Sequence, residues 1–421
     1  MSETYTYSIP KADYASLVDG FLNKKCQNLR FQIINNYQDF QQRRDEWNAL
    51  VEQSLNDYVF LRHEWFDVWW NNFGNGSQLF VVMVYVDEQL VAIAPLMIGK
   101  WRLRFVSVRC LKFMENDESP RCEFIFHPKY FFVLSRLLNF ISRHSRSWDL
   151  VLFRNISSFS PTFIALKHFL SKRKFAHGFQ DALVSPFIQF NGNWDDFLGT
   201  LSKRFRRSIR QFRRKAFANG NVTYEEINVS PANAVLLMNT LSSIGSHSWK
   251  NPINSDIGSG QNRRKFFAEL SRISSFHGWL KIWILRVDNK PVAFHYILNY
   301  NNISYLLRSE FDENYRDLSP GSTLQTIVIE NFFRNQGQEF DFCGGDDAYK
   351  KHWTKENRHH KTVFIFSDYI KSQLLYLMEF QLLTRLKKIR DHKKTQHQLL
   401  RISNVVGGNF AVFQKLRNLS E

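Results

Sequence analysis

Apolar residues cluster in two short blocks of the same design. Leu79–Val86 leads through Asp87-Glu88-Gln89 into Leu90–Ile98, and Leu280–Val287 leads through Asp288-Asn289-Lys290 into Pro291–Leu298. β-Branched and aromatic runs on either side of a short polar turn predict two β-hairpins. Both contain Val-Asp-x-x-x-Val-Ala, at Val86-Asp87 with Val91-Ala92 and at Val287-Asp288 with Val292-Ala293, displaced by 201 positions. An offset of roughly half the chain predicts a duplicated unit.

Further strands follow each hairpin, at 103–108 and 150–153 in the first half and at 303–308 and 340–342 in the second. Helical periodicity surrounds them at 131–142, 161–172, 263–274 and 323–333. Asn191-Gly192-Asn193 opens a further helix over 194–217, stopped by Asn219-Gly220. Mixed strands and helices in this order predict an α/β (α+β) fold, in which central mixed sheets are flanked by helices. From Ser372 to Arg401 the chain reads as a basic helix with Leu374, Leu375, Met378, Leu382 and Leu386 on one stripe. The predicted organisation is a polar segment (1–28), two similar domains (29–192 and 193–368) and a basic helical tail (369–421).

Composition narrows the functional classes. A chain of 421 residues exceeds what one growing core supports, in keeping with two domains. A net charge of +17 favours anionic partners such as phosphate-bearing cofactors, nucleic acid or anionic lipid. Cys26, Cys110, Cys122 and Cys343 lack the spacing of a zinc ribbon or a disulfide scaffold, and His359-His360 has no metal partners at ligand spacing, so no metal is expected. Residues 1–20 lack a secretory h-region and no 18-residue apolar run occurs, so a cytoplasmic protein with at most peripheral membrane contact is expected.

Four segments carry candidate chemistry. The strand lead at 338–343 runs into Gly344-Gly345-Asp346-Asp347-Ala348-Tyr349-Lys350-Lys351-His352-Trp353, and a glycine pair ahead of ionisable groups at a strand exit suits a site. A capped helix start, with Asp346 or Asp347 as N-cap, is the structural alternative. Ser319-Pro320-Gly321-Ser322-Thr323 opens a helix whose free N–H groups suit phosphate, or forms an ordinary Pro-Gly cap. The basic helix Lys203–Lys215, which includes Arg206 and Arg207, packs Phe205, Ile209 and Phe212 and presents cations to a phosphate-rich partner. Ser248, Trp249 and Lys250 precede a Gly/Ser/Asn-rich stretch and read as an acceptor loop or a plain polar loop. His295, mid-strand between Phe294 and Tyr296, is a structural histidine or a base.

These motifs, in this order, resemble the GNAT acyltransferases. The closer likeness is to the branch known as cellulose-biosynthesis-type acetyltransferases, related to the Fem peptidoglycan aminoacyltransferases. The carrying residues are Leu201–Arg207, Ser248-Trp249-Lys250, Pro291–Phe294, Tyr315 with Ser319-Pro320-Gly321, and Asp341-Phe342 with Gly345-Asp346, Tyr349-Lys350 and Trp353. The resemblance covers about 195–366, and the first half resembles the degenerate N-terminal copy of that branch. It implies tandem GNAT-like domains and transfer of an acyl group, acetyl from acyl-CoA being the expected donor, to a hydroxyl or amine of a polysaccharide or lipid-linked sugar precursor. Of the usual acyl-CoA loop, Arg/Gln-x-x-Gly-x-Gly/Ala, only Arg316, Gly321 and the helix start remain, which leaves acyl carrier protein and aminoacyl-tRNA as alternative donor carriers.

On this reading Arg316, Ser319, Gly321, Ser322, Thr323, Lys203, Arg206 and Arg207 hold the donor. Asp346 or Asp347 orients or deprotonates the acceptor, with His295 as a second candidate base. Tyr349 protonates the leaving thiolate, and Ser248, Trp249, Lys250, Lys350 and Trp353 bind the acceptor. The rival readings are an aminoacyl-tRNA-dependent transferase and a non-enzymatic basic scaffold on RNA or an anionic membrane.

Overall fold

The computed structural model describes residues 28–189, 192–218, 221–345 and 347–382; Asp346 and most of the predicted basic tail lie outside them. In the first half the elements are β1 (Leu29–Ile34), α1 (Tyr37–Gln42), α2 (Arg44–Gln53), α3 (His63–Phe73), β2 (Gln78–Leu79), β3 (Val81–Val86), β4 (Gln89–Ala94), β5 (Leu96–Leu103), β6 (Val106–Phe113), β7 (Ile125–Phe126), α4 (Val133–Arg143), β8 (Leu150–Ser157), α5 (Pro161–Lys172) and β9 (His177–Gln189). The second half contains α6 (Trp194–Thr200), α7 (Lys203–Ala218), β10 (Val222–Ile227), α8 (Ala234–Ser246), α9 (Gln261–Phe276), β11 (Leu280–Val287), β12 (Lys290–Tyr300), β13 (Ile303–Phe311), α10 (Pro320–Arg334), β14 (Glu339–Asp341), β15 (Asn357–Phe366) and α11 (Ile370–Tyr376).

The duplication is visible in the backbone. β3–β4 and β11–β12 are both antiparallel hairpins with two-residue turns, Asp87-Glu88 and Asp288-Asn289, and all four turn residues have positive φ. Such turns match the right-handed twist of the strands they join, which explains the short polar linkers. Each hairpin also carries a register shift at the same place, Val84/Tyr85 and Leu285/Arg286, again 201 positions apart.

Two strand orders result. One sheet runs β1-β3-β4-β7 and the other β10-β11-β12-β13-β14-β9-β15-β8-β6-β5-β2. Residues 89–98 divide at Pro95 into β4 and β5 in different sheets, whereas the second-half equivalent stays one strand, β12, with a register shift at Tyr296/Ile297. Proline removes a ladder donor, so the break falls where the sequence puts it. Strand β15 crosses back to lie between β9 and β8. The 29–192 and 193–368 units therefore share one sheet.

One core spans both halves, packing Trp47, Trp65 and Trp69 with Phe266, Ile282, Phe294 and Tyr296; Trp65 meets Phe266 edge-on at 5.5 Å. A second core lies between the first-half sheet and α4–α5, and a third between β11–β14 and α6, α7 and α10. Strand β3 feeds the first core with Val81, Met83 and Tyr85 and the second with Val82, Val84 and Val86. Burial on both faces explains its unbroken apolar run.

Two local expectations need correction. The helix expected over 194–217 is broken into α6 and α7, because Ser202 Oγ accepts the Phe205 N–H at 3.2 Å and starts a new helix. The strand expected over 103–108 straddles a turn at Arg104, whose φ is +57°. At the C-terminal end the described residues hold α11 and a short π-helical turn, Leu377–Leu382.

Candidate active site

The site arises from a parallel strand pair that separates. β13 pairs with β14 only through Ile303–Tyr305 with Glu339–Asp341, after which β13 runs on to Phe311 while the other chain turns away at Cys343, φ +57°, and Gly345, φ +101°. The β13 edge from Leu306 onward has no strand partner on that side, and a cavity of about 590 Å³ fills the wedge. Its walls are Leu306, Arg308, Ser309 and Phe311 of β13; Gly321, Ser322 and Gln325 of α10; Phe205 and Phe212 of α7; Trp249 and Lys250; and the 342–353 segment. Asp117, Glu118 and Pro120 of the first half complete it.

Helix α10 points its start at this space. Ser319 takes a left-handed conformation and Pro320 occupies the first turn. The Thr323 N–H donates to the Ser319 carbonyl at 3.0 Å, and those of Gly321 and Ser322 have no acceptor among the described residues. Orphan N–H groups and the positive end of the helix dipole together suit an anion. A Cβ at Gly321 would meet Phe311 Cδ1 at 2.9 Å, so glycine is required for this approach. Thr323 is buried, and Arg316 is turned outward in an ion pair with Glu313 at 2.5 Å.

The Gly344-Gly345 turn is held from inside. Lys350 is buried and its Nζ donates to the carbonyls of Gly344 at 2.7 Å and Gly345 at 3.2 Å, with the Asp347 carboxylate at 3.0 Å. Its ammonium thus shapes the loop, although the sequence suggested an acceptor contact. Asp347 remains about half exposed and Tyr349 lines the same wall. Trp353 is buried edge-on against Phe205 at 5.0 Å, so its indole is a wall of the cavity floor. Burial pushes the Cys343 thiol up to about 12, in agreement with a packing role.

Opposite stand Trp249, half exposed at the rim, and Lys250, whose Nζ donates to the Ser309 carbonyl at 3.0 Å and lies 3.8 Å from Glu310. Burial pulls the Lys250 ammonium down to about 8, partly offset by Glu310. Ser248 is buried, and its Oγ accepts the Lys250 N–H at 3.3 Å. The Gly/Ser/Asn stretch beyond is pinned: Glu310 accepts the Ile257 N–H at 3.1 Å and Arg308 donates to the Ser255 carbonyl at 2.9 Å. His295 sits opposite Ser309 in the ladder, fully enclosed, with both ring nitrogens unpartnered; burial and then Lys250 drive it down to about 3.

On α7, Arg213 pairs with Glu330, while Lys203, Arg204, Arg207, Arg210, Arg214 and Lys215 have no ion-pair partner among the described residues. Arg206 makes a 3.5 Å contact to the Gly199 carbonyl. The helix touches the cavity through Phe205 and Phe212 and leaves its cations outside.

Sequence reading missed the first-half contribution. Glu118 is buried and pairs with Arg263 at 2.6 Å and with Arg308. Beneath it, Arg121 pairs with Asp341 and stacks on Tyr58 and Tyr305, while Arg358 bridges Asp341 at 2.8 Å and Glu339. Gln325 was also missed. No motif marks any of these residues, because each acts through a fold contact distant in sequence.

Residues 203–351 match the family model described as an acetyltransferase (GNAT) domain. Over these residues the chain is similar to the GNAT acetyltransferases. No curated protein sequence matches the chain. Among solved structures, a conserved protein of unknown function from Bacteroides thetaiotaomicron VPI-5482 superposes with a TM-score of 0.51 at 14% identity, covering 80% of this chain and 100% of that one. FemX superposes with a TM-score of 0.53 at 13% identity, covering 83% and 100%. At such identities the likeness is one of fold, and it extends over both halves of the chain. Among the described residues no helix is long and apolar enough to cross a membrane, and no group of three or more His, Cys, Asp or Glu is placed to hold a metal ion.

Proposed function

We propose that the enzyme moves an acyl group, acetyl from acetyl-CoA first, onto a hydroxyl or amine of a saccharide or lipid-linked sugar, in the cytoplasm or at the inner membrane face. The observation that carries this reading is the wedge between β13 and β14, with the orphan N–H groups of Gly321 and Ser322 at one end. The donor phosphates sit on those N–H groups, and its arm lies along the open β13 edge. The acceptor enters past Trp249 and Tyr349, whose rings suit a sugar face. Its oxygen or nitrogen attacks the thioester carbonyl and the thiolate leaves. Asp347, with Asp346 beside it in sequence, orients the acceptor and takes its proton, His295 being the second candidate base. Tyr349 returns a proton to the thiolate.

The branch suggested by the sequence, cellulose-biosynthesis-type and Fem-related, supports the saccharide acceptor. A thermal-shift screen with acetyl-CoA, longer acyl-CoA thioesters and free coenzyme A tests the donor, since a ligand of the folded state raises the melting temperature. If none does, a coenzyme A donor is wrong. Full turnover in Asp347→Asn and in His295→Ala would remove both base assignments.

One observation favours a second reading. The helix that walls the cavity with Phe205 and Phe212 carries cations with no ion-pair partner among the described residues, and an aminoacyl-tRNA donor could lie along them. Binding of tRNA that weakens steeply with salt, without any response to acyl-CoA, would establish it.

A further inference from the structure

Helix α10 carries a group that the reading above does not use. Gln325 lines the cavity one turn beyond Gly321, is 2% exposed, and neither its Oε1 nor its Nε2 has a hydrogen-bond partner among the described residues. A buried carboxamide with both ends unmet is destabilising, so its retention calls for a reason. His295 adds two more unpartnered atoms to the same layer. Its ladder partner Trp283 packs in the core with Leu324 and Val328 of α10, and its other ladder partner, Ser309, lines the cavity. The layer between β12–β13 and α10 is therefore polar where the neighbouring core is aliphatic and aromatic.

A carboxamide offers one acceptor and two donors, and its best complement is another amide, which returns an N–H and a C=O. The position is equally specific. Gln325 lies on the donor side, one helical turn from the phosphate-competent N–H groups, and faces the open β13 edge across the wedge. We infer that Gln325 is a specificity-determining residue that pairs with a secondary amide of a pantetheine-type donor arm. This rests on the thioester-donor reading and sharpens it. A pantetheine arm presents such amides whether it belongs to coenzyme A or to the prosthetic group of a carrier protein, and an aminoacyl ester of tRNA presents none there.

The test is a cycle between protein and ligand. Wild-type protein and Gln325→Leu are compared for binding of acetyl-CoA and of an analogue whose pantetheine amide is replaced by an ester. Wild type should favour the amide donor by about 10- to 100-fold, and the variant should bind both alike. The ligand-free variant should melt no lower than wild type, because an unmet polar group has been removed. Gln325→Met provides the same comparison should the branched side chain misfold. Equal discrimination by both proteins overturns the inference alone. A wild type that responds to no pantetheine thioester overturns the donor reading and the inference together. Repeating the comparison with an acetylated carrier protein distinguishes the two sources of the arm, with the same dependence on Gln325 expected for whichever binds.

Discussion

The two halves carry the same βαβ element and put it to different use. In the first, β6 pairs in parallel with β8 through Cys110–Lys112, near the end of β6. In the second, β13 pairs with β14 through its first residues, so that 306–311 run on with an open edge. The intervening helices differ in the same sense. Helix α4 begins Val133-Leu134, both buried, whereas α10 begins Pro320-Gly321-Ser322 beside a cavity. A shift in parallel register of a few residues separates a closed wedge from an open one. The first half has instead become a wall, sending Asp117, Glu118 and Pro120 into its neighbour's site.

The largest effect should come from breaking the contact by which the first half reaches the second. Arg121→Met leaves the buried Asp341 with Arg358 as its remaining cation, and the loss should be about 3–5 kcal/mol in denaturant unfolding. Gly321→Val closes the open wedge from within, since its side chain meets Phe311. Donor binding should fall about 100-fold or more by calorimetry, with the far-ultraviolet spectrum unchanged. Glu118→Ala removes the carboxylate shared by Arg263 and Arg308 at the cavity wall. The acceptor KM should rise about tenfold while the donor KM stays within about twofold.

The last effect is read against pH. His295 holds its neutral form in the folded protein down to about 3, whereas an unfolded histidine takes up a proton near 6.5. Its contribution is complete above about 6.5 and is lost as pH falls towards 3. His295→Gln should flatten that part of the stability profile, leaving the slopes of the other shifted groups, among them His63 and His360, also depressed by burial, and Glu123 and Glu310, raised by it.

The contrast also explains what the sequence revealed. The repeated hairpins were legible because unbroken apolar runs and two-residue turns are local signals, and the Gly344-Gly345 turn was legible for the same reason. Parallel register is not local: nothing in Ile303–Phe311 says where Glu339–Asp341 will meet it. Lys350 read as an acceptor ligand because its carbonyl partners appear only once the turn is built. Gln325 read as one more helix position, and its isolation emerges only from the packing of α10 on the sheet.

Strand β15 has a consequence for how the protein is made. It completes the sheet between β8 and β9, yet it is synthesised after almost the whole second half. A ribosome that has released β9 has exposed one edge of β8 and both edges of β9, whose partners β15 and β14 do not yet exist, and unpaired edges invite misassembly. The first half therefore waits for the second, and the chain should show one cooperative unfolding transition. A fragment ending before Asn357 should aggregate, since it lacks the strand that closes its own sheet.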